Sequence, residues 1–198
     1  MRKAILSAVA IATVLLSVLC AMQIPAGDGT GEVTDSGTAG RLSWTLEGNV
    51  LTISGEGTMQ SYSSSSAPWS TYSDIVTNLV IEYGVTSIGN SAFKGMTALR
   101  DVSLPDSLTL IDNSAFEGCT SIEDIEIPDS VTSPGRSTFR NCTSLQTVVI
   151  GDGATYVGQY CFSGCLALES VTLGTSVLSV GDYTFQNCTS LSESCRPR

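Results

Sequence analysis

Four cysteines, Cys119, Cys142, Cys165 and Cys188, recur every 23 residues, and Cys161 stands four places before the third of them. A thiol can attack a carbonyl, ligate zinc or join a disulfide, and each use makes its own demand on neighbouring residues. Attack needs a thiolate and a base to make it. The chain has no histidine, which removes Cys-His and Ser-His-Asp systems and most catalytic zinc sites. Outside the first residues the only lysine is Lys94, so Ser-Lys catalysis has little support. No glycine-rich phosphate loop stands between a strand and a helix. Carboxylates for glycoside hydrolysis exist by type, but at positions that change from repeat to repeat. The reading is non-enzymatic: no catalytic residue, no metal and no cofactor.

The cysteine frame belongs to a larger one. Phe93, Phe116, Phe139, Phe162 and Phe185 keep the same 23-residue step, as do Leu99, Ile122, Leu145, Leu168 and Leu191. So do Leu79, Val102, Ile125, Val148 and Val171, and Ile81, Leu104, Ile127, Ile150 and Leu173. One such row cannot bury its apolar side alone, whereas stacked copies share a continuous core. Residues 76–191 therefore predict a solenoid of five rows. Alternation such as Val102-Ser103-Leu104 gives each row a short strand, and the following Pro-Asp-Ser is turn chemistry. A short helical or 3-10 turn is expected at Ala115-Phe116 and its equivalents.

In this frame Met96 takes the cysteine slot of the first row. A methionine forms no disulfide and is no typical zinc ligand, so the slot asks for a soft apolar side chain. Cys119, Cys142, Cys165 and Cys188 are read as a packed ladder. Rungs about 4.8 Å apart lie within reach of a disulfide, but their parallel Cβ vectors fit it badly. A bridge between Cys161 and Cys165 is the one the spacing leaves open, and Cys195 is the expected free thiol. Pro134 replaces the Ile88, Ile111, Val157 and Val180 of other rows. It removes an amide donor, so the third row is expected to be the weakest join.

The rows resemble leucine-rich repeats of the BspA type, read approximately as L-x-x-[VI]-x-[IL]-P-x-S-V-x-x-I-G-x-x-A-F-x-x-C. The resemblance implies an α/β solenoid: five 23-residue repeats stacking a parallel β-sheet, helical or 3-10 turns on the other side, and an N-terminal β-hairpin cap. It also implies a bacterial or protist surface protein that binds rather than catalyses.

Before the repeats, Arg2 and Lys3 precede an apolar run from Ala4 to Ala21. This reads as a signal peptide over 1–26, cleaved after Ala21 or Ala26 or kept as an anchor. Lipidation at Cys20 is disfavoured by the bulk of Leu19. Residues 27–40 read as a flexible linker and 41–75 as the cap. There Leu42, Trp44 and Leu46 alternate up to a turn at Glu47-Gly48-Asn49, and a short helix follows Pro68-Trp69. Trp44 and Trp69 are read as sealing the first repeat, with carbohydrate stacking as the lesser option. Residues 192–198 form an irregular tail that leaves the last strand open, an edge that invites self-association.

Without Arg2 and Lys3, seven basic residues face 19 acidic ones, about −12. Such a chain repels phosphate backbones and anionic lipid. Nucleic acid is not an expected partner, nor is lipid beyond the N-terminal segment. The expected partner is a protein or glycan at a cell surface, with the protein itself secreted or surface-bound. In the resembling family's geometry the outward strand residues line the concave face. The candidate ligand-binding residues there are Asp101, Ser103, Asp124, Glu126, Thr147, Val149, Ser170 and Thr172. The acidic cluster Asp101, Asp124 and Glu126 on adjacent rows suits a cationic partner or Ca²⁺, or else serves as a solvated face.

Overall fold

The computed structural model describes residues 33–64 and 66–192, together with the backbone of 196–197. The signal segment and Cys195 lie outside these residues. The chain begins with an antiparallel meander of β1 (Thr34–Ala39), β2 (Leu42–Glu47) and β3 (Val50–Ser54). Gly48, in the left-handed region at φ 59°, lets β2 turn directly into β3. Leu42, Trp44, Leu46, Leu51 and Ile53 face inward. Their alternation is what selects strands here.

Two-residue β4 (Gly57–Thr58) and one 3-10 turn at Ser70–Tyr72 lead into the repeats. Each row then supplies a strand. These are β5 (Asn78–Ile81), followed by β6 (Val85–Ile88), then β7 (Asp101–Ser103) with β8 (Leu110–Ile111), and then β9 (Asp124–Ile127). The fourth and fifth rows give β10 (Thr147–Ile150) with β11 (Tyr156–Val157), and β12 (Ser170–Leu173) with β13 (Ser179–Val180). Finally β14 (Arg196–Pro197) pairs in parallel with Thr172–Leu173 of β12. The tail is thus not wholly irregular, and the last strand is not left fully open.

The core between the two ladders is one file of side chains per slot. Phe93, Phe116, Phe139 and Phe162 are buried and stacked nearly parallel, 5.3 to 5.6 Å between ring centroids, and Phe185 follows at 5.8 Å. Trp69 continues the file on Phe93 at 5.4 Å, and its indole N–H donates to the Ala92 carbonyl at 2.8 Å. Trp44 and Trp69 are 5% and 0% exposed. That burial rules out the carbohydrate-stacking option for both rings.

The structure corrects two further sequence expectations. Residues 34–39, read as flexible linker, form β1, because the backbone of an edge strand pairs whatever its outward side chains are; only Ala39 of this strand is buried. The Tyr72 hydroxyl also donates to Asp35, tying β1 to the 3-10 turn. The second correction concerns the expected helical turns, none of which forms in the described repeats. Ser91, Ser114, Ser137, Tyr160 and Tyr183 all lie at φ 54–60°, and Gly95, Gly118 and Gly164 are also left-handed. Asn141 and Asn187, the heads of the two Asn-Cys-Thr triplets, share the glycine slot at φ 60° and 62°. Alternating handedness flattens the chain and turns its amides toward the next row. Ser91, Phe93 and Gly95 donate to the carbonyls of Asn113, Ala115 and Glu117. The fold is a β-solenoid with little helix.

Close stacking sets a size limit at some slots. A β-carbon at Gly158 would overlap the backbone carbonyl of Gly135 on the preceding row. Gly158→Ala is therefore expected to lower stability by about 1–3 kcal/mol, since the obstacle is backbone and cannot rotate away. Chemical denaturation of the purified protein checks this, and an unchanged midpoint would mean that the rows separate at little cost.

Both ladders are interrupted around the third row. On one side Pro134 makes only an isolated bridge with Ile111, dividing the β4-β6-β8 sheet from the β11-β13 pair. The shortened pairing falls at the row where the missing amide was expected to weaken the stack. On the other side the parallel strands fall into two sheets, β1-β2-β3-β5-β7 and β14-β12-β10-β9, with no pairing between β7 and β9. The turn amides still cross this join, with Phe116 donating to Thr138 and Gly118 to Arg140.

Candidate binding face

The eight residues expected to line a ligand face do share the outward side of the strands. Asp101, Ser103, Asp124, Glu126 and Thr147 are exposed, while Val149, Ser170 and Thr172 are partly so. Parallel register aligns Asp124, Thr147 and Ser170 across one line, and Glu126, Val149 and Thr172 across the next. These six belong to one sheet. Asp101 and Ser103 belong to the other, across the β7/β9 interruption.

The cause of that interruption can be read from the side chains. Asp101 and Asp124 occupy the same slot on adjacent rows, and like charges side by side destabilise a strand pair. Each carboxylate turns outward from the other: Asp101 accepts from the Asn78 amide at 3.1 Å, and Asp124 accepts from the Thr147 hydroxyl. Pro128 carries no N–H in the slot where Gly151, one row later, donates to the Ile127 carbonyl, but Pro105 holds the same slot one row earlier and β7 still pairs with β5. The facing carboxylates are what sets this join apart.

The result is an open cleft of about 440 Å³ bounded by Asn78, Val80, Arg100, Asp101, Glu123 and Asp124. A neighbouring recess continues it past Ser103, Asp106, Glu126 and Pro128. Val102 and Leu104, inward residues of the second row, are only partly buried, whereas Val148 and Val171 are fully so. The cleft therefore has an apolar floor and a polar rim dominated by carboxylates. Arg100, Glu123 and Asp106 were missed in the sequence reading. Lining up the slot that precedes each strand brings out the first two, because rows two and three there carry opposite charges in Arg100 and Glu123.

These carboxylates do not converge on a point. Among the described residues no group of three or more carboxylates and thiols is placed to hold a metal ion. The Ca²⁺ option therefore loses its geometric support, and what remains is an extended surface of negative charge.

The cysteines are held differently from a reactive centre. Cys119, Cys142, Cys165 and Cys188 donate S–H to the carbonyls of Phe93, Phe116, Phe139 and Phe162, each at 3.1–3.2 Å. Burial pushes the Cys119 and Cys161 thiols up to about 12, and those of Cys142 and Cys165 well up too. Such thiols are neutral and inert at ordinary pH. Cys161 and Cys165 are both free. The Cys165 S–H is directed at the Phe139 carbonyl of the preceding row.

Short parallel strands at a 23-residue step, and an inward file of leucine-like and phenylalanine side chains, define a leucine-rich-repeat solenoid. A family model described as BspA type leucine rich repeat region matches six copies within residues 71–192. This chain belongs to that family. The copies number one more than the five full rows. No curated protein sequence matches the chain.

Among solved structures, it is similar to a leucine rich cell surface protein from Faecalibacterium prausnitzii. The TM-score is 0.58 and the identity 22%, covering 82% of this chain and 55% of the other. A leucine-rich repeat protein from Bacteroides ovatus gives 0.58 at 20% identity, covering 86% and 52%. The leucine-rich repeat protein of T. pallidum gives 0.52 at 22% identity, covering 85% and 92%. This chain spans about half the length of the first two. These likenesses concern the fold.

Proposed function

We propose that this is an exported, non-enzymatic recognition module that engages a protein or glycan at a cell surface through the outward face of its parallel strands. The observation that carries the reading is the cleft between β7 and β9, where the sheet gives up its pairing and presents Asp101, Glu123, Asp124 and Glu126 around an apolar floor. Unpaired strand edges offer backbone donors and acceptors to a ligand, and the acidic rim selects for positive charge. Export is supported by the N-terminal apolar run and by the printed description of the F. prausnitzii protein as a cell surface protein. In this reading the β1–β3 meander and Trp69 close the N-terminal end of the core.

The test is charge reversal in the cleft rim. Asp124→Lys with Glu126→Lys is expected to weaken capture by immobilised matrix glycoproteins and oligosaccharides at least about tenfold, because a rim complementary to cations becomes repulsive. Capture unaltered by the double substitution would remove the strand face from the reading. A second reading, assembly through the C-terminal row, is favoured by the exposure of Leu178 (85%) and Val180 (43%). The same variant separates the two: assembly measured by sedimentation velocity should survive it.

A further inference from the structure

The turn slot that holds Ser91, Ser114 and Ser137 in the first three rows holds Tyr160 and Tyr183 in the last two, all at φ 54–60°. A left-handed backbone is sparsely populated by bulky residues, and serine fills the slot without difficulty in three rows. Packing therefore does not require tyrosine here.

The two rings stack on each other at 5.1 Å with 13° between planes. The guanidinium of Arg136 lies 5.5 Å from the centre of the Tyr160 ring. Arginine, tyrosine and tyrosine thus form a column on three successive rows. Among the described residues Tyr183 is the last of the column, with one face against Tyr160 and 58% of the residue exposed. Its chain neighbour Asp182 is exposed, and its carboxylate accepts from the Gln159 amide of the preceding row at 3.1 Å.

We infer that the open face of Tyr183 is a docking site for an arginine side chain carried by an extended basic segment of a partner protein. The column already shows a guanidinium as a neighbour of its π-surface at Tyr160. A planar guanidinium gains from ring stacking and from a carboxylate in a way that an ammonium does not match. The chain's net charge of −10 favours approach of such a segment. The site lies on the turn after β13 and is independent of the cleft between β7 and β9.

A capped Gly-Arg-Gly-Arg-Gly peptide, titrated into the full chain at physiological salt, tests this by calorimetry and by shifts of the tyrosine ring resonances. Binding is expected to shift the Tyr183 ring. Tyr183→Ser, the residue that three rows already carry in this slot, should weaken binding about three- to fivefold, and Tyr183→Phe should leave it intact. The lysine analogue of the peptide should bind more weakly. Asp124→Lys with Glu126→Lys should leave the Tyr183 shift in place, so failure here and failure of the cleft reading are told apart. Equal binding by Tyr183→Ser, loss of binding in the cleft variant alone, or a ring shift produced by a neutral oligosaccharide and not by the peptide would each overturn the inference.

Discussion

Raising the pH from about 9 toward 11 is expected to unfold this protein steeply, with the cysteine ladder as the cause. Cys119, Cys142, Cys161 and Cys165 are buried, and burial raises each thiol above its ordinary value. A raised folded-state pKa means that the neutral thiol is favoured in the fold. Its stabilisation is whole below the unfolded value near 9 and is lost as the pH climbs toward the folded value, about 12 for Cys119 and Cys161. Within that window each thiol removes about 1.4 kcal/mol per pH unit. Four acting together remove roughly 5–6 kcal/mol per unit, against the 5–15 kcal/mol typical of a domain's whole stability. Circular dichroism against pH, with thiol reactivity followed in parallel, measures it. Cys119→Ala with Cys142→Ala should make the transition shallower by about two protons. A slope unchanged by those substitutions would assign alkaline unfolding to other groups.

The second large effect is expected from Phe139→Ala. This ring is fully buried and stacked on both sides, 5.3 Å from Phe116 and 5.6 Å from Phe162. Removing it deletes buried apolar surface and leaves a cavity, for a loss of about 3–5 kcal/mol. In a stack whose rows touch only their neighbours, a central row supports two interfaces and a terminal row one. Phe185, partly exposed and stacked on Phe162 alone, should cost much less when truncated. Denaturant midpoints of the two variants give the comparison. Equal losses would mean that stability is not distributed row by row.

The repeat was legible because every row must send the same shapes inward, and a slot such as Phe93 to Phe185 cannot drift without breaking the file. Register followed from it: Thr147 against Asp124 and Ser170 is the 23-residue step made physical. Three features were not legible, each for a different reason. The turns around Ala115 and Phe116 look helical locally, yet their amides serve the next row, a choice made only after stacking. Thr34–Ala39 has no apolar alternation because it is an edge strand whose side chains mostly face water. The cleft depends on Asp101 and Asp124 meeting in one slot across two rows, and a row read singly does not contain it. The acidic cluster itself was visible, but not that it splits a sheet.

The thiol file bears on a hazard peculiar to repeats. Rows this alike can dock one step out of phase at nearly the same energy, giving a folded but misaligned chain. What removes the degeneracy is the first row, where Met96 has no S–H to donate and Trp69 stands in place of a preceding phenylalanine. Moved one step toward the N-terminus, into the Met96 slot, the Cys119 S–H would exchange the Phe93 carbonyl it now bonds for the end of the file at Trp69. Met96 acts as the zero mark from which the rest of the stack is counted.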